Sequence, residues 1–584
     1  MDLNIRYQNF EGWGTSLAWW ANVVGGFPEP DRSNITRMFF DPVTGLGLNI
    51  VRYNIGGGEN PAHLPPNSPV YLPFRTRVPG FEPSPGVYDW TQDANQRWVL
   101  QESSKLGVNI AEAFSNSPPW WMTNSGSVTG AVGAGDNLNP AYAEAFADYL
   151  TTVAEHFHQE WGITFRTLEA FNEPNTTYWH FGGGQEGCGF APATQNAFIK
   201  VLAASMAAKN MNYTAISASD ETSVGNALSS LSLYDSTSIG YVSQFNTHTY
   251  GGNATQLQNY HIQTNQLNKR MWISEYGDSA ASGLTMASRI ITDLRNGQPH
   301  AWVYWQTVDS ASGWGFIRNP LQDEVNTSYV VNQKFYVMGN FSRFIHPGYQ
   351  FVGMTDGSSV AAYDGLGTLV IVTLNNGTSE RNLTYTLQNL PDGPWSATPY
   401  QTSSTQNLAM LSSFDISGNQ FAATLPAQSV TTFVITNGRS SPLISGKTYK
   451  IMNANSGLVM TVPDTTMDGQ QVIQKADMDQ DNQKWVATAA GSYWVLTNVA
   501  SGLALNVKHF STHSGTPVDQ ANVTHYKNQV WNVTADGTGN YRIINQNSGL
   551  YLDVTGRSVS EGGKVFQSAP IDQASQSWTF QVVP

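Results

Sequence analysis

Two glutamates lie near the ends of apolar runs of the sequence and could act together on one bond. Glu173 is the second-last residue of "TLEAFNEP" (167–174), and Glu275 lies in "MWISEYG" (271–277). One carboxylic acid that protonates a leaving oxygen and one carboxylate that attacks an anomeric carbon can cleave a glycosidic bond when they lie roughly 5–5.5 Å apart. Since the two positions are 102 residues apart in the chain, the fold must bring distant strand ends together.

The elements that could position these glutamates are eight short β-branched or aromatic runs, separated mostly by stretches with helical periodicity such as 139–160 and 192–209. This alternation predicts a parallel (β/α)8 barrel over residues 10–334, in which the carboxyl ends of the strands form one active face. The fourth and seventh strands face each other across such a barrel, so Glu173 and Glu275 can flank one sugar. The eight runs are 10–17, 48–56, 108–117, 167–174, 213–221, 241–250, 271–277 and 301–308.

Other charged residues near the strand ends are Arg52, Glu112, Glu169 and Asp220. An arginine at the end of the second strand can hydrogen-bond Glu275 and keep it ionised, whereas the proximity of Glu275 and of aromatic rings should raise the pKa of Glu173. The three additional carboxylates compete with the pair. Glu169 shares the strand parity of Glu173 but lies deeper in the barrel, where we expect a structural ion pair with Arg52 or a lysine.

Aromatic residues follow two of the predicted strands. Trp120 and Trp121 come just after the third strand, Trp305 lies on the eighth strand, and Trp314 lies in the loop after it. Tryptophan faces stack on sugar rings, so we expect at least one of the four to contact a substrate.

The composition indicates a secreted protein that acts on a neutral polymer. Only 12% of residues are charged, where about 25% is usual, while Trp, Tyr and Phe number 18, 25 and 26. A net charge of −14 without a basic patch argues against nucleic acid as a partner. Asn-x-Ser/Thr sequons favour an extracellular glycoprotein. They start at Asn34, Asn175, Asn212, Asn253, Asn326, Asn340, Asn376, Asn382, Asn522 and Asn532.

Several other classes of protein are disfavoured. The sequence has no apolar run of 18 residues, so we expect no membrane partner. Cys188 is the only cysteine and is interpreted as a buried thiol. The histidines of "HFH" (156–158) lie on different helix faces, and "DMDQD" (477–481) lacks the glycine and glutamate of a calcium loop, so we expect no metal and no cofactor. A monomer is the default expectation.

Beyond residue 334 the hydrophobic pattern changes. Residues 335–436 alternate between apolar and polar, which predicts an antiparallel β-sandwich to which residues 1–9 could contribute strands. A polar linker at 437–444 follows. Residues 445–584 then hold a threefold repeat whose units contain Gln483-x-Trp485, Gln529-x-Trp531 and Gln576-x-Trp578.

This repeat resembles the ricin-type β-trefoil of carbohydrate-binding module family 13. The resemblance implies that each tryptophan fills a shared core and that each glutamine supports a potential sugar pocket. The sugar-binding aspartate of that family is matched only by Asp553, with Gln576 beside it; Thr461 and Asn506 occupy the equivalent positions. Whether the trefoil binds sugar is left open, with the third unit favoured.

The motifs "FNEP" and "WISEYG" resemble those of the clan A retaining glycosidases, and residues 10–436 resemble glycoside hydrolase family 30. The resemblance implies that Glu173 is the acid/base, that Glu275 is the nucleophile, and that Asn172 binds the 2-hydroxyl of the sugar. It also implies that His248 and Tyr250 contact the sugar or the catalytic pair. Further motifs of this resemblance are "GLNIVRYNIGGG", "SNSPPWWM" and "YVMGNFSRFIHPG".

Within family 30, "EGWGTSLAWWA" (11–21), residues 146–174 and "GGGQEGCGF" (182–190) are most similar to the endo-β-1,6-galactanases, which cleave side chains of type II arabinogalactans. A β-1,6-glucanase or a xylanase of the same family remains an alternative. A third hypothesis is a non-catalytic carbohydrate-binding protein built on the barrel, which the presence of both glutamates disfavours.

Overall fold

The computed structural model describes residues 1–64, 73–437, 442–463, 467–571 and 573–583. The chain divides into two compact units. The first comprises Met1–Phe39, Leu48–Ser104 and Val108–Ile435, and the second comprises Phe40–Gly47, Lys105–Gly107 and Thr436–Pro584. Part of the predicted linker, residues 438–441, lies outside the described residues. Within the described ranges, no helix combines the length and apolar character that crossing a membrane requires.

A closed parallel barrel forms the centre of the first unit, as the alternating pattern predicts. After strand β1 (Asp2–Asn9), eight strands follow one another around the barrel, and the first pairs with the last through Gly12 and Ala301. Each strand overlaps one of the eight predicted runs, and the fifth, sixth and seventh barrel strands extend one or two residues beyond their runs. The barrel strands are β2 (Gly12–Ser16), β3 (Ile50–Asn54), β4 (Ile110–Phe114), β5 (Thr167–Glu169), β6 (Ala215–Ser223), β7 (Val242–Gly251), β8 (Arg270–Glu275) and β9 (Ala301–Gln306).

Helices connect the barrel strands, and their buried faces follow the helical period. In the helix Ala143–Trp161, the buried positions include Phe146, Leu150, Val153 and Phe157, and Gly162 ends the helix in the left-handed region at φ 66°. The helices of the first unit are α1 (Trp20–Val24), α2 (Asp31–Phe40), α3 (Pro73–Thr76), α4 (Ala94–Leu106), α5 (Ala143–Trp161), α6 (Pro192–Ala208), α7 (Val224–Leu231), α8 (Ser236–Tyr241), α9 (Ala254–Gln266), α10 (Leu284–Asn296) and α11 (Gln333–Ser342).

The loop after the last barrel strand is supported by a small three-stranded sheet, and the chain then enters the antiparallel region. In that region an eight-stranded sheet includes β1, so residues 1–9 do contribute a strand. A two-stranded sheet supplies Tyr385 and Phe421 to the same core as Ile371 and Phe433 of the larger sheet, which makes the region a sandwich. The strands are β10 (Val308–Asp309), β11 (Ile317–Arg318), β12 (Val330–Val331), β13 (Gln350–Gly353), β14 (Ser359–Tyr363), β15 (Thr368–Asn375), β16 (Arg381–Thr386), β17 (Trp395–Ser403), β18 (Gln406–Met410), β19 (Phe414–Ile416), β20 (Gln420–Leu425) and β21 (Ser429–Thr436).

The described residues of the second unit form twelve strands around a large shared core, as expected of a β-trefoil. Trp485, Trp531 and Trp578 are fully buried in it, and their indole N–H groups donate to the carbonyls of Met460, Leu505 and Leu552 at 3.0–3.1 Å. The three repeats are therefore equivalent at these tryptophans. The strands are β22 (Thr448–Asn453), β23 (Val459–Thr461), β24 (Ile473–Lys475), β25 (Trp485–Ala490), β26 (Tyr493–Asn498), β27 (Ala504–Val507), β28 (Val518–Ala521), β29 (Val530–Ala535), β30 (Tyr541–Asn545), β31 (Tyr551–Val554), β32 (Val565–Ser568) and β33 (Trp578–Val582).

Burial bears on two expectations from the sequence, the thiol of Cys188 and the sequon at Asn340. Cys188 is a buried free thiol, as expected, and burial raises the pKa of the thiol. The sequon at Asn340 cannot carry a glycan in the folded protein, because its side chain is buried and donates to the carbonyl of Tyr400 and to Thr432 Oγ1.

Candidate active site

A cavity of about 350 Å³ lies at the carboxyl end of the barrel. The predicted residues Asn172, Glu173, Tyr250, Glu275 and Trp305 line it. The structure therefore brings the ends of the fourth, sixth, seventh and eighth barrel strands to one cleft, as parallel barrels do.

The two glutamates lie close together across this cavity. One carboxylate oxygen of Glu173 and one of Glu275 are within 4.8 Å of each other, and a ring nitrogen of His248 is within the same distance of both. Both glutamates are largely buried, at 7% and 4% exposure. This separation is close to the one that leaves room for a single anomeric carbon between two carboxylates.

The backbone at Glu173 departs from the strand that leads to it. Strand β5 ends at Glu169, and Glu173 has a left-handed φ of 49°, which a non-glycine residue adopts only when its surroundings hold it there. Its N–H donates to the carbonyl of Asp220 at 2.8 Å, and its own carbonyl accepts from the indole of Trp179 at 3.0 Å. These two contacts aim the Glu173 side chain into the cavity.

The Glu173 carboxylate has two side-chain partners. His248 Nδ1 lies 3.1 Å from Oε1, and the hydroxyl of Tyr178 donates to Oε2. Tyr178 was missed by the sequence analysis, since it lies in a loop without periodicity. Its spacing of five residues from Glu173 is the one local signal that could have found it.

The Glu275 carboxylate is held by three groups from other strands. Arg52 Nη1 donates to Oε2 at 3.1 Å, Tyr250 donates its hydroxyl to Oε1 at 3.0 Å, and His248 Nδ1 lies 3.6 Å from Oε1. The predicted contact between Arg52 and Glu275 is therefore present. His248 and Tyr250 also contact the glutamate pair, as the resemblance implies.

Arg52 contacts more carboxylates than we expected from the sequence. Its guanidinium also contacts Glu112 at 3.2 Å and forms an ion pair with Asp220, all within the fully buried barrel interior. Within the described part of the chain, Glu169 does not form the ion pair that we expected. It accepts instead from the N–H of Phe171 at 3.3 Å, and burial raises its pKa well above the usual range.

The pKa of Glu275 reflects its burial and its charged neighbours. The pKa of Glu275 is raised to about 7, because burial and the neighbouring Glu173 raise it by more than His248 and Arg52 lower it. The expectation that Arg52 would hold the pKa of Glu275 low is therefore not met, because burial outweighs the opposing contribution of Arg52.

His248 carries the compensating positive charge. Burial alone would lower the pKa of this histidine, but the carboxylates of Glu275, Asp220 and Glu173 raise it to about 10. Glu173, His248 and Glu275 have the spacing to hold a metal ion. The protonated imidazole that this pKa favours has no lone pair for a metal, so the cluster is better suited to proton chemistry.

Three buried polar atoms of the cavity wall make no hydrogen bond to the described part of the protein. They are Asn172 Oδ1, Asn116 Nδ2 and Trp19 Nε1. Buried polar groups are normally satisfied, so unsatisfied groups on residues that line a cavity are candidates for binding ligand hydroxyls. Asn172 thus has the free acceptor that its predicted role requires.

The aromatic wall differs from the predicted one. Trp305 and Trp314 line the cavity together with Trp19, which meets Trp305 edge-on at 5.0 Å between centroids. Trp120 and Trp121 do not line it, because they lie in a 3-10 turn after two prolines and the Trp121 indole donates to the carbonyl of Glu82 at 3.0 Å. For these two residues the expectation of a sugar contact is not supported.

In the trefoil, the tentative pocket residues contact each other. Gln576 Nε2 lies 3.1 Å from Asp553 Oδ2, and the corresponding glutamines Gln483 and Gln529 contact Thr461 and Asn506 at 3.2 and 3.3 Å. Asp553 also accepts from Ser568 Oγ at 2.8 Å and is only 3% exposed. The same glutamine contact therefore exists in each repeat, with a carboxylate at this position only in the third.

Comparisons with known proteins agree with this architecture. Residues 1–261 match the model of O-glycosyl hydrolase family 30, and residues 427–521 and 527–584 match the ricin-type β-trefoil lectin domain-like model. The chain is 36% identical over 401 residues to an endo-β-1,6-galactanase of Hypocrea rufa, covering 65% of this chain and 81% of the relative.

Two further similarities extend this comparison. An exo-β-1,6-galactobiohydrolase of Bifidobacterium longum subsp. longum is 24% identical over 99% of this chain, which spans 50% of that relative. A crystal structure of a conserved exported protein from Bacteroides fragilis superposes with a TM-score of 0.65 at 21% identity, over 75% of this chain and 99% of the other. With paired carboxylates at the active end of the barrel, the chain belongs to O-glycosyl hydrolase family 30 and carries a ricin-type β-trefoil domain at its C-terminal side.

Proposed function

We propose that this glycoside hydrolase is a retaining endo-β-1,6-galactanase. The observation that carries the mechanism is the approach of the Glu173 and Glu275 carboxylate oxygens to within 4.8 Å. Inverting enzymes need roughly 6.5–9.5 Å between the two carboxyl groups to admit a water molecule, so the shorter separation favours double displacement.

In the first step, Glu275 attacks the anomeric carbon while Glu173 transfers its proton to the departing glycosidic oxygen. The bond between carbon and that oxygen breaks, and a glycosyl ester of Glu275 forms. In the second step, Glu173 removes a proton from water, which attacks the same carbon and releases Glu275. Each carboxylate thus returns to its starting protonation state.

The partners of the two glutamates suit these roles. Arg52 and Tyr250 hold both oxygens of Glu275, which fixes the nucleophile and favours its charged form. Asn172, with its free side-chain oxygen, can accept from the 2-hydroxyl of the sugar, an interaction that strengthens in the transition state.

The substrate assignment rests on relatives. Both relatives described above act on β-1,6-linked galactose according to their names, and the more similar of them is an endo-acting enzyme. We therefore infer that the substrate is the β-1,6-galactan side chains of arabinogalactan. β-1,6-Glucan and xylan are the alternatives within the family.

Azide trapping tests the two catalytic roles. With an aryl glycoside that leaves without protonation, Glu275→Ala should let azide attack the anomeric carbon directly and give a glycosyl azide of inverted configuration. Glu173→Ala should still form the ester, so azide then gives the original configuration. A glycosyl azide of original configuration from Glu275→Ala, or of inverted configuration from Glu173→Ala, would overturn the assignment.

A substrate panel tests the specificity. The wild type should release oligosaccharides from β-1,6-galactan and not from β-1,6-glucan or xylan, as followed by chromatography of the products. Glu275→Gln should lower kcat/KM by at least about a thousandfold, which is ~4 kcal/mol of barrier, while it retains ligand binding. Retained binding without any hydrolysis by the wild type would instead favour a non-catalytic carbohydrate-binding protein.

Two wider expectations belong to the same proposal. Secretion is supported by the low content of charged residues and by exposed sequons such as Asn212, Asn253 and Asn376. Sugar binding by the third trefoil repeat is supported by the Asp553 carboxylate beside Gln576.

A further inference from the structure

A buried carboxyl group is connected to the cavity wall at Asn116 by two hydrogen bonds. Asn116 lines the cavity that holds the glutamate pair, and its Nδ2 makes no hydrogen bond to the described part of the protein. The backbone N–H of Asn116 donates to Asn54 Oδ1 at 3.2 Å, and Asn54 Nδ2 donates to Glu186 Oε2 at 2.8 Å. Glu186 is fully buried, so its effect on the cavity passes through these two bonds.

The other oxygen of Glu186 holds the loop that packs against the same segment. Glu186 Oε1 accepts from the N–H of Gly57 at 2.7 Å. A β-carbon at Gly57 would lie only 2.6 Å from the carbonyl oxygen of Pro118, so only glycine permits this close approach of the two backbones. Glu186 therefore fixes two contacts of the segment that begins at Asn116, one through Asn54 and one through Gly57.

Glu186 also sets the direction of the Asn54 side-chain amide. The backbone of Asn54 is held by Gln96, which accepts from its N–H and donates to its carbonyl, both at 3.0 Å. The side-chain amide has a donor end and an acceptor end, and a carboxylate accepts hydrogen bonds at both oxygens. Glu186 therefore draws the Nδ2 end of Asn54 to itself and leaves Oδ1 for the N–H of Asn116. With the amide reversed, that N–H would lose its acceptor.

The Glu186 carboxyl group is costly to bury. Burial raises its pKa to about 8, although the N–H groups of Asn54 and Gly57 lower it. The group takes no part in the proposed bond cleavage. The contribution that fits its contacts is the arrangement of the neighbouring donors, which an aliphatic side chain of the same size would not provide.

We propose that Glu186 is a positioning residue for substrate binding, which acts through Asn54 to hold Asn116 in place for a hydroxyl group of the bound sugar. This inference rests on the proposed function, because a sugar must occupy the cavity that Asn116 lines. The free Nδ2 group of Asn116 is a donor, and every sugar hydroxyl offers an acceptor oxygen. Glu186 itself touches no reacting atom, so its replacement should act only through Asn116.

An exchange of polar groups between Glu186 and Asn54, made in the full chain, tests the hydrogen bonds. Glu186→Gln sets an amide against the N–H groups of both Asn54 and Gly57, so one contact is lost in either direction of the new amide. The kcat/KM for a β-1,6-galactan oligosaccharide should fall roughly tenfold. Adding Asn54→Asp restores every donor–acceptor pair, because the new amide can donate to the new carboxyl group and still accept from Gly57. The double variant should return to within about twofold of the wild type. A double variant no more active than Glu186→Gln would overturn the proposal.

A second comparison asks whether Glu186 acts through Asn116. Asn116→Ala removes the cavity amide, and in that background Glu186→Gln should change kcat/KM by less than about twofold. The same tenfold loss in both backgrounds would show that Glu186 only supports the fold, and the proposal would fail. If Glu186→Gln does not fold, Asn54→Asp takes its place in the comparison, because it sets an acceptor against Glu186 and breaks the same bond.

The matched control is Asp519→Asn in the trefoil. Asp519 is also buried, at 2% exposure, and accepts from Asn506 Nδ2 at 2.6 Å. This variant should leave kcat/KM for the short oligosaccharide unchanged. Failure of the proposed substrate is a separate outcome, in which the wild type cleaves another glycan, and the same variants are then compared on that glycan. If the wild type bound galactan without cleaving it, the same comparison in dissociation constants would decide the role of Glu186.

Discussion

The Nδ1 atom of His248 lies 3.1 Å from Glu173 Oε1. The same nitrogen lies 3.6 Å from Glu275 Oε1, and the opposite nitrogen, Nε2, lies 3.7 Å from Asp220 Oδ1. One imidazole ring is thus placed among three carboxyl groups in a water-poor interior, where a charge acts most strongly on its neighbours.

His248→Gln should move the acidic limb of the kcat/KM profile to higher pH. The pKa of Glu275 is about 7 with the imidazolium in place, and the imidazolium lowers it. Its removal therefore raises this pKa, by roughly one to two units, and the nucleophile becomes ionised only at higher pH. The kcat/KM profile reports the free enzyme and is the measurement to use.

The control for that profile is His513→Gln, which changes an exposed histidine of the trefoil. It should leave the profile unchanged. A His248→Gln profile that overlaps the wild-type profile, or that moves to lower pH, would show that the imidazolium does not set the charge of Glu275.

Glu173→Gln should affect substrates according to their leaving groups. A sugar alkoxide needs the proton of Glu173, whereas a nitrophenolate leaves without it. The loss in kcat/KM should therefore be roughly a hundredfold or more greater for a β-1,6-galactan oligosaccharide than for a nitrophenyl glycoside. Equal losses on both substrates, measured side by side, would mean that Glu173 is not the acid.

Lys334→Met should loosen one wall of the cleft. The Lys334 ammonium group is fully buried and donates to the carbonyls of Asp278 and Gly313 at 2.6 and 2.7 Å and to the Tyr304 hydroxyl at 2.9 Å. Tyr304 in turn donates to the carbonyl of Trp314, which lines the cavity. Loss of these bonds should cost about 2–4 kcal/mol in the free energy of unfolding and raise KM.

Thermal unfolding and steady-state kinetics check this prediction, with Lys200→Met as the control. Lys200 forms a surface ion pair with Asp235, and such pairs contribute about 0–1 kcal/mol. If Lys334→Met lowered Tm while KM stayed at the wild-type value, the lysine would stabilise the fold without positioning Trp314.

Asp553→Ala should weaken binding of the chain to soluble galactan if the third trefoil repeat holds a sugar. The carboxylate accepts from Ser568, Gln576 and the N–H of Val554, which leaves one acceptor site on Oδ1. Loss of a hydrogen bond to a charged acceptor costs about 1.5–3 kcal/mol, or roughly tenfold to a hundredfold in affinity. Affinity electrophoresis measures it, and Thr461→Ala in the first repeat is the matched control that should not change mobility.

Local patterns of apolar and polar residues predicted the barrel and the position of the two glutamates. The eight apolar runs each end in polar residues, and a closed parallel sheet brings those ends to one cleft, so the sequence predicted that Glu173 and Glu275 lie at the same end of the barrel. The Gln-x-Trp repeat predicted the trefoil through its resemblance to the ricin-type fold, and the three tryptophans do lie in one shared core.

What only the tertiary structure decided are the directions of loops and the sharing of charge. Tyr178, Trp19 and Arg75 reach the cleft from segments without periodicity, whose paths depend on contacts with residues far away in the chain. Arg52 was predicted beside Glu275, but its division among three carboxylates is a property of distances across the barrel. The sequence determines which side chains can do the chemistry, and packing determines how their charges and neighbours are arranged.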